Sequence, residues 1–246
     1  MSKPLPVSLS VLLVSAPLLL SALPVWSGEF VAQALHPDSA DNQPLDTTLA
    51  RLAPGADSRV LGLAARAVSC ADPQAERLAV IDFSLPSTEP RLWVFDLERG
   101  ELMFEELVSH GQGTGDAMAE HFSNTPESHQ SSLGLFRTLN SYYGRNGYSL
   151  RLEGLEAGIN DLAYQRAIVI HGADYVSESF IEQTGRLGRS YGCPAVRQEV
   201  TYPLIDSLKE DHYLFAYYPD ADWLESSAFL ACDRESRKLA MNQAHQ

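Results

Sequence analysis

The run AIVIHGA, residues 167–173, does most to limit what this chain can fold into. Its β-branched residues form an unbroken apolar stretch too short for a core helix, which suits a strand buried on both faces. Other short runs rich in Val, Leu, Phe and Trp surround it: RLAVIDFS (77–84), RLWVFDL (91–97), ELMFEELV (101–108), GLFRTLN (134–140), YSLRLEGL (148–155) and YLFAYYP (213–219). Glu98-Arg99-Gly100 between the second and third marks a hairpin, and Asn146-Gly147 ahead of YSLRLEGL is a strong short-range hairpin cue. Helical spacing is confined to short stretches. Leu45–Leu52 reads as one short helix, and Val60, Leu61, Ala64, Ala65 and Val68 give the stripe of a second over Ser58–Val68. Ser177 and Thr201 are placed to cap helices through Glu182 and Leu208, and residues 222–240 read as a closing helix. Many strands with few helices predict a β-rich α+β domain with short helices packed on it and a C-terminal helix. A chain of 246 residues, 45% hydrophobic, supports one main core.

The two ends differ from this body. Lys3, an apolar run from Val7 to Val25 and small residues near Ser27 have the order of an export signal, so residues 1–27 are expected to be removed near Ser27 or retained as an anchoring helix. No later run is long and apolar enough to cross a membrane. Residues 28–76 are expected to form a flexible and helical lead-in, residues 77–220 the main domain, and residues 221–246 a helical tail. The formal charge of −14 repels phosphate backbones and argues against a nucleic-acid partner.

Cysteine usage narrows the chemistry. Three cysteines in an exported chain leave at least one thiol outside any internal disulfide. Cys70 and Cys232 flank the presumed core and are either a pair or two separate thiols; in both cases Cys193 stands apart. It lies in GRSYGCPA (188–195), a polar, broken stretch unlike the apolar setting of an inert buried cysteine. A thiol becomes a nucleophile when an imidazole stabilises its thiolate, and His171, where a buried strand gives way to a loop, is the best placed histidine. Gly192 permits close backbone approach to a substrate, and the N–H groups of Tyr191, Gly192 and Cys193 are candidates for an oxyanion hole. Arg189 and Arg197 flank the thiol and are candidates to hold a substrate carboxylate. Residue spacing alone leaves His171 as either base or satisfied structural residue. No pair among the histidines and Cys193 has the short spacing of a zinc site, so no metal or cofactor is expected.

IVIHGADYVSESFIEQTGRLGRSYGCPA resembles the signature of the YkuD-type L,D-transpeptidases, in which a His-Gly at a strand end precedes Ser-x-Gly-Cys by about twenty residues. The chain is most similar to the murein L,D-transpeptidase catalytic domain branch, over about residues 78–219, including FSNTPESHQSSLG and GLEAGIND. The resemblance implies a YkuD-like mixed β-sandwich or barrel, with Cys193 as nucleophile, His171 as its base and the carbonyl of Gly172 orienting the imidazole. Ser190 and Gly192 match the family pattern. Tyr191 departs from it, since better-studied branches carry histidine there, and Pro194 also departs. SSLGLF (131–136) stands where relatives place a strand near the cleft, or is a plain strand start. The implied activity is acyl transfer on peptidoglycan stem peptides in the periplasm or cell wall: a thioester forms at Cys193 with release of terminal D-alanine. An amine acceptor makes this a transpeptidase and water makes it an L,D-carboxypeptidase. A wall-binding protein that kept the fold and lost the chemistry is the non-catalytic alternative.

Overall fold

A computed structural model describes residues 43–232 of the chain. The signal-like run 1–27, the start of the lead-in and residues 233–246 lie outside the described residues.

Eight strands form one mixed sheet: β1 (Arg77–Asp82), β2 (Leu92–Asp96), β3 (Glu101–Glu106), β4 (Gly134–Gly144), β5 (Gly147–Gly154), β6 (Val169–Gly172), β7 (Ala195–Val196) and β8 (Tyr213–Tyr217). Their order is β3-β2-β1-β8-β4-β5-β6-β7, with β1–β8 and β6–β7 parallel and the remaining neighbours antiparallel. Both expected hairpins form. In the β4–β5 hairpin Gly144 faces Gly147, so the link is Arg145-Asn146, and Gly147 follows it at φ +76°. Past β3 the chain runs on to Ser109, whose N–H donates to the carbonyl of Ala195 in β7 at 2.9 Å. That bridge joins the two ends of the strand order, and the sheet is nearly closed into a barrel.

The strands differ in burial for a simple reason. β2, β6 and β8 are buried along their whole length, as their unbroken apolar runs predict, whereas β3 alternates because one of its faces meets solvent.

Two helices precede the sheet, α1 (Leu45–Leu52) and α2 (Ser58–Ala71), and the side chain of Asp57 caps α2 by accepting from Arg59 N at 2.7 Å. Their apolar stripes, Leu49 on α1 and Val60, Leu61, Ala64 and Val68 on α2, enter the same core as Leu78, Val80, Phe95 and Phe215. The described part of the lead-in is therefore a wall of the domain. At its end Cys70 forms a disulfide with Cys232, with α-carbons 6.1 Å apart across 162 residues of sequence. A crosslink closing so long a loop restricts the unfolded chain strongly, and its reduction is expected to cost about 2–5 kcal/mol. Denaturant unfolding with and without reductant, beside a Cys70→Ser/Cys232→Ser variant, measures this. Coincident midpoints would contradict it.

The later helices differ from expectation at their ends. α3 (Glu178–Thr184) is capped by Ser177 Oγ, which accepts from Phe180 N, as predicted, and it runs two residues past Glu182 to stop at Gly185 with φ +79°. α4 (Gln198–Leu208) begins three residues before Thr201, the predicted cap. Thr201 instead lies inside the helix, buried, with Oγ1 donating to the carbonyl of Arg197 at 2.9 Å. The predicted closing helix is broken: α5 (Ala221–Ser226) ends at Ser227, which is extended, and helix resumes over residues 228–232. Trp223 pins α5 to the core through Nε1, which donates to Glu156 Oε2 at 3.2 Å.

Candidate active site

β6 delivers His171 at the end of the barrel, buried to 5% exposure. Its Nδ1 lies 3.0 Å from the carbonyl of Gly172. A carbonyl only accepts, so Nδ1 carries the proton and Nε2 is left with a lone pair. Burial holds the imidazole below its ordinary pKa, and the Gly172 carbonyl offsets part of that effect. Glycine at 172 has a steric reason: a methyl group there would overlap Thr201 Oγ1 and stand 2.6 Å from Gln198 Oε1, in the first turns of α4. The His-Gly pair is thus where a strand end slides under a helix start, and the close approach fixes the carbonyl that fixes the ring.

Across the parallel ladder His171 faces Ala195 and Gly172 faces Val196. Cys193 stands two residues before Ala195. Strand spacing and rise put that position about 8 Å from His171 between α-carbons. The thiol is turned toward Ala167, with Sγ 3.7 Å from its carbonyl, and among the described residues it makes no hydrogen bond to His171. Burial pushes the Cys193 thiol up, against smaller lowering effects from the Val169 backbone and the Arg166 guanidinium. A raised thiol and a depressed imidazole make the resting pair uncharged. Tyr175 also lies near the sulfur, and its hydroxyl is pushed up to about 12, chiefly by burial and then by Cys193.

The loop carrying Cys193 is held by its own polar groups. Ser190 Oγ accepts from Gly192 N at 3.1 Å and donates to the Cys193 carbonyl at 2.6 Å, so Ser190, which matches the family pattern and is a candidate to bind substrate, also folds the loop. The same contact removes Gly192 N–H from the predicted oxyanion hole. The N–H groups of Tyr191 and Cys193 have no acceptor among the described residues. Gly192 itself sits at φ +114°, and a methyl group there would come 2.7 Å from the Gln130 carbonyl. A second loop lies against it. Ser131 Oγ accepts from Gly111 N at 3.0 Å and donates to the Gly192 carbonyl at 3.1 Å, which puts the polar half of SSLGLF against the nucleophile loop. Tyr191 is 60% exposed and stacks on His129, with ring centroids 4.5 Å apart.

Underneath runs a network that residue spacing did not reveal. Ser190 N donates to the His110 carbonyl, and Gln112 N donates to the Ser190 carbonyl. The His110 ring is tied in turn to Arg91, whose Nη2 donates to Nδ1 at 2.8 Å while its other hydrogen bonds go to the carbonyls of Leu85 and Val108. Burial first, and the adjacent Arg91 charge second, lower His110 to about 4, so it stays neutral and able to accept. Among the described residues no three histidine, cysteine or carboxylate side chains converge in a metal-binding group.

The flanking arginines are otherwise engaged. Arg197 makes a bidentate pair with Glu106, both contacts at 2.8 Å, which ties the start of α4 to the end of β3. Arg189 Nη1 lies 2.8 Å from Asp116 and donates to the Gly115 carbonyl at 2.7 Å. Each guanidinium therefore already holds a protein carboxylate, while Nη2 of Arg189 and Nη1 of Arg197 make no hydrogen bond among the described residues. The cation that does act on the thiol is Arg166, directly ahead of the buried run that carries His171; its only signal in the sequence was that position.

A family model described as L,D-transpeptidase catalytic domain matches residues 53–217. No curated protein sequence matches the chain. Similar solved structures include an L,D-transpeptidase from Mycobacterium smegmatis, at 13% identity over 58% of this chain and 59% of that one, with a TM-score of 0.37. L,D-transpeptidase 1 of Mycobacterium tuberculosis aligns at 10% identity over 58% of this chain and 62% of that one, with a TM-score of 0.34. An L,D-transpeptidase from Stackebrandtia nassauensis aligns at 14% identity over 72% and 77% of the two chains, with a TM-score of 0.35. The alignment spans 59% of the Mycobacterium smegmatis chain.

Proposed function

We propose, from the premise that this chain belongs to the L,D-transpeptidase catalytic domain family, that it is an exported cysteine acyltransferase acting on peptidoglycan stem peptides. Cys193 Sγ attacks the amide carbonyl between the L-centre of a diamino acid and the terminal D-alanine, and its proton passes to His171 Nε2. The C–N bond then breaks, the imidazolium returns the proton to the leaving amine, and D-alanine departs. The thioester left on Cys193 is resolved by an amine of a neighbouring stem. Gly172 orients the base, and the N–H groups of Tyr191 and Cys193 are the donors available to the tetrahedral oxyanion.

The observation that carries this reading is the strand pair β6–β7, which sets His171, with Nδ1 already committed to Gly172, one ladder step from the cysteine loop. The Cys70–Cys232 disulfide and the signal-like run 1–27 support export to an oxidising compartment. Among the described residues no helix is long and apolar enough to cross a membrane. The test is incubation with purified sacculi followed by mass spectrometry of the released stems. Tetrapeptides that lose D-alanine and reappear as dimers joined between diamino residues are expected. Tripeptides without dimers would make water the acceptor, and unaltered stems would overturn the reading.

A further inference from the structure

We propose that Arg166 is the charged partner of Cys193: a positioning residue whose guanidinium faces the nucleophile loop and stabilises the sulfur anion once the thiol proton has moved to His171. This rests on the nucleophile reading given above.

The first observation is that the charge of Arg166 is not neutralised. Its Nη1 donates to the Ser123 carbonyl and to Ser132 Oγ, both at 2.6 Å, and its Nη2 donates to the Gln130 carbonyl at 2.6 Å and to Ser128 Oγ at 3.3 Å. All four acceptors are uncharged, and no carboxylate lies within ion-pair distance among the described residues. Arg77, Arg137, Arg189 and Arg197 each have an acidic partner. In a chain with 32 acidic residues against 18 Lys and Arg, a half-buried guanidinium held only by carbonyls and hydroxyls carries a charge that no neighbouring carboxylate offsets.

What lies beside it is the nucleophile loop. The point where a Cβ on Gly192 would sit is 3.4 Å from Nη2, so the guanidinium touches the residue just before Cys193. The next residue along the chain, Ala167, is held at φ +54°, a conformation an alanine rarely adopts, and its carbonyl is the one that receives the thiol. Arg166 and Ala167 thus present opposite electrostatics to one sulfur. The Ala167 carbonyl suits a neutral S–H, which donates to it, and repels a thiolate, whereas the guanidinium attracts the thiolate. Loss of the proton therefore favours movement of Sγ off the carbonyl toward the cation. The other titratable group that acts on the sulfur is Tyr175, which stays neutral; His171 takes the proton under the nucleophile reading above.

The experiment follows iodoacetamide alkylation of Cys193 against pH in the full chain, for wild type, Arg166→Lys, Arg166→Gln and Ser128→Asp. Ser128→Asp adds a carboxylate beside Nη2 while leaving the guanidinium and its other bonds in place, so the test survives if Arg166→Gln fails to fold. The profile of Arg166→Gln and that of Ser128→Asp are expected to shift to higher pH, with alkylation near neutrality about tenfold slower, and Arg166→Lys to restore most of the rate. A purely structural role would change stability and leave the midpoint of the profile unmoved. A reactive wild-type thiol with the same midpoint in Ser128→Asp and in any folded Arg166→Gln overturns the role of Arg166 alone. A wild-type thiol no faster than a free cysteine overturns the nucleophile reading and this inference together.

Discussion

Cys193→Ser is expected to abolish release and exchange of D-alanine from tetrapeptide stems, by about 10³-fold or more, while changing unfolding stability by about 1 kcal/mol or less. The two halves of this prediction have separate causes. A serine hydroxyl ionises so far above a thiol that His171, itself depressed by burial, is too weak a base to produce a useful nucleophile from it. The loop, by contrast, barely depends on the sulfur. Its bonds run from Ser190 Oγ to Gly192 N and the Cys193 carbonyl, and from Ser131 Oγ to the Gly192 carbonyl. A serine at 193 keeps all of them, and its hydroxyl has the Ala167 carbonyl as a ready acceptor. D-alanine exchange assayed beside thermal unfolding checks both halves. Retained exchange would remove the thioester from the mechanism, and a large loss of stability would mean that the sulfur is a packing residue.

What could be read in the chain beforehand followed the range of the forces involved. β6, the β2–β3 and β4–β5 hairpins and α3 are decided by neighbours in sequence: β-branched runs, turn residues, a serine cap and a terminating glycine. The helical stripes of α1 and α2 were equally legible, but not the whole surface that α2 covers, because β8, which makes part of it, lies far along the chain. Thr201 has good capping chemistry and lost that position to a tertiary demand, since α4 must start early enough for Arg197 to reach Glu106 and for Gly172 to pass beneath its first turns. At the site, His171, Gly172 and Cys193 could be picked out because each breaks its local pattern. Arg166 and the Arg91–His110 pair could not, because their effect arises from being buried next to particular carbonyls and a particular thiol. The same distinction applies to Arg189 and Arg197. Proximity in sequence to the nucleophile says nothing about Asp116 and Glu106, the carboxylates that pair with them in space.

His171→Ala is expected to slow acylation of Cys193 by about 10²–10⁴-fold and to change the shape of its pH dependence. In the wild type the base must be unprotonated, and burial places its conjugate acid below the ordinary 6.5. Acylation should therefore persist as pH falls through 6.5, where a solvent-exposed imidazole would be half protonated, and should decline only below it. The thiol lies on the other side: burial raises it above its ordinary 9.0, so without the imidazole the thiolate forms only in strongly alkaline solution. The acid limb of the wild-type profile should thus vanish in His171→Ala and be replaced by a rate that climbs with pH through the alkaline range. Acylation by a carbapenem, followed by mass spectrometry across pH for both proteins, reads out the two limbs. An acid limb that survives in His171→Ala would assign the base to another group, and a wild-type limb centred above 6.5 would mean that the imidazole takes up its proton more readily than its burial allows. The first result would part His171 from Cys193, because the Gly172 carbonyl holds the ring in one tautomer and that arrangement has chemical use only if Nε2 is the atom that receives the thiol proton.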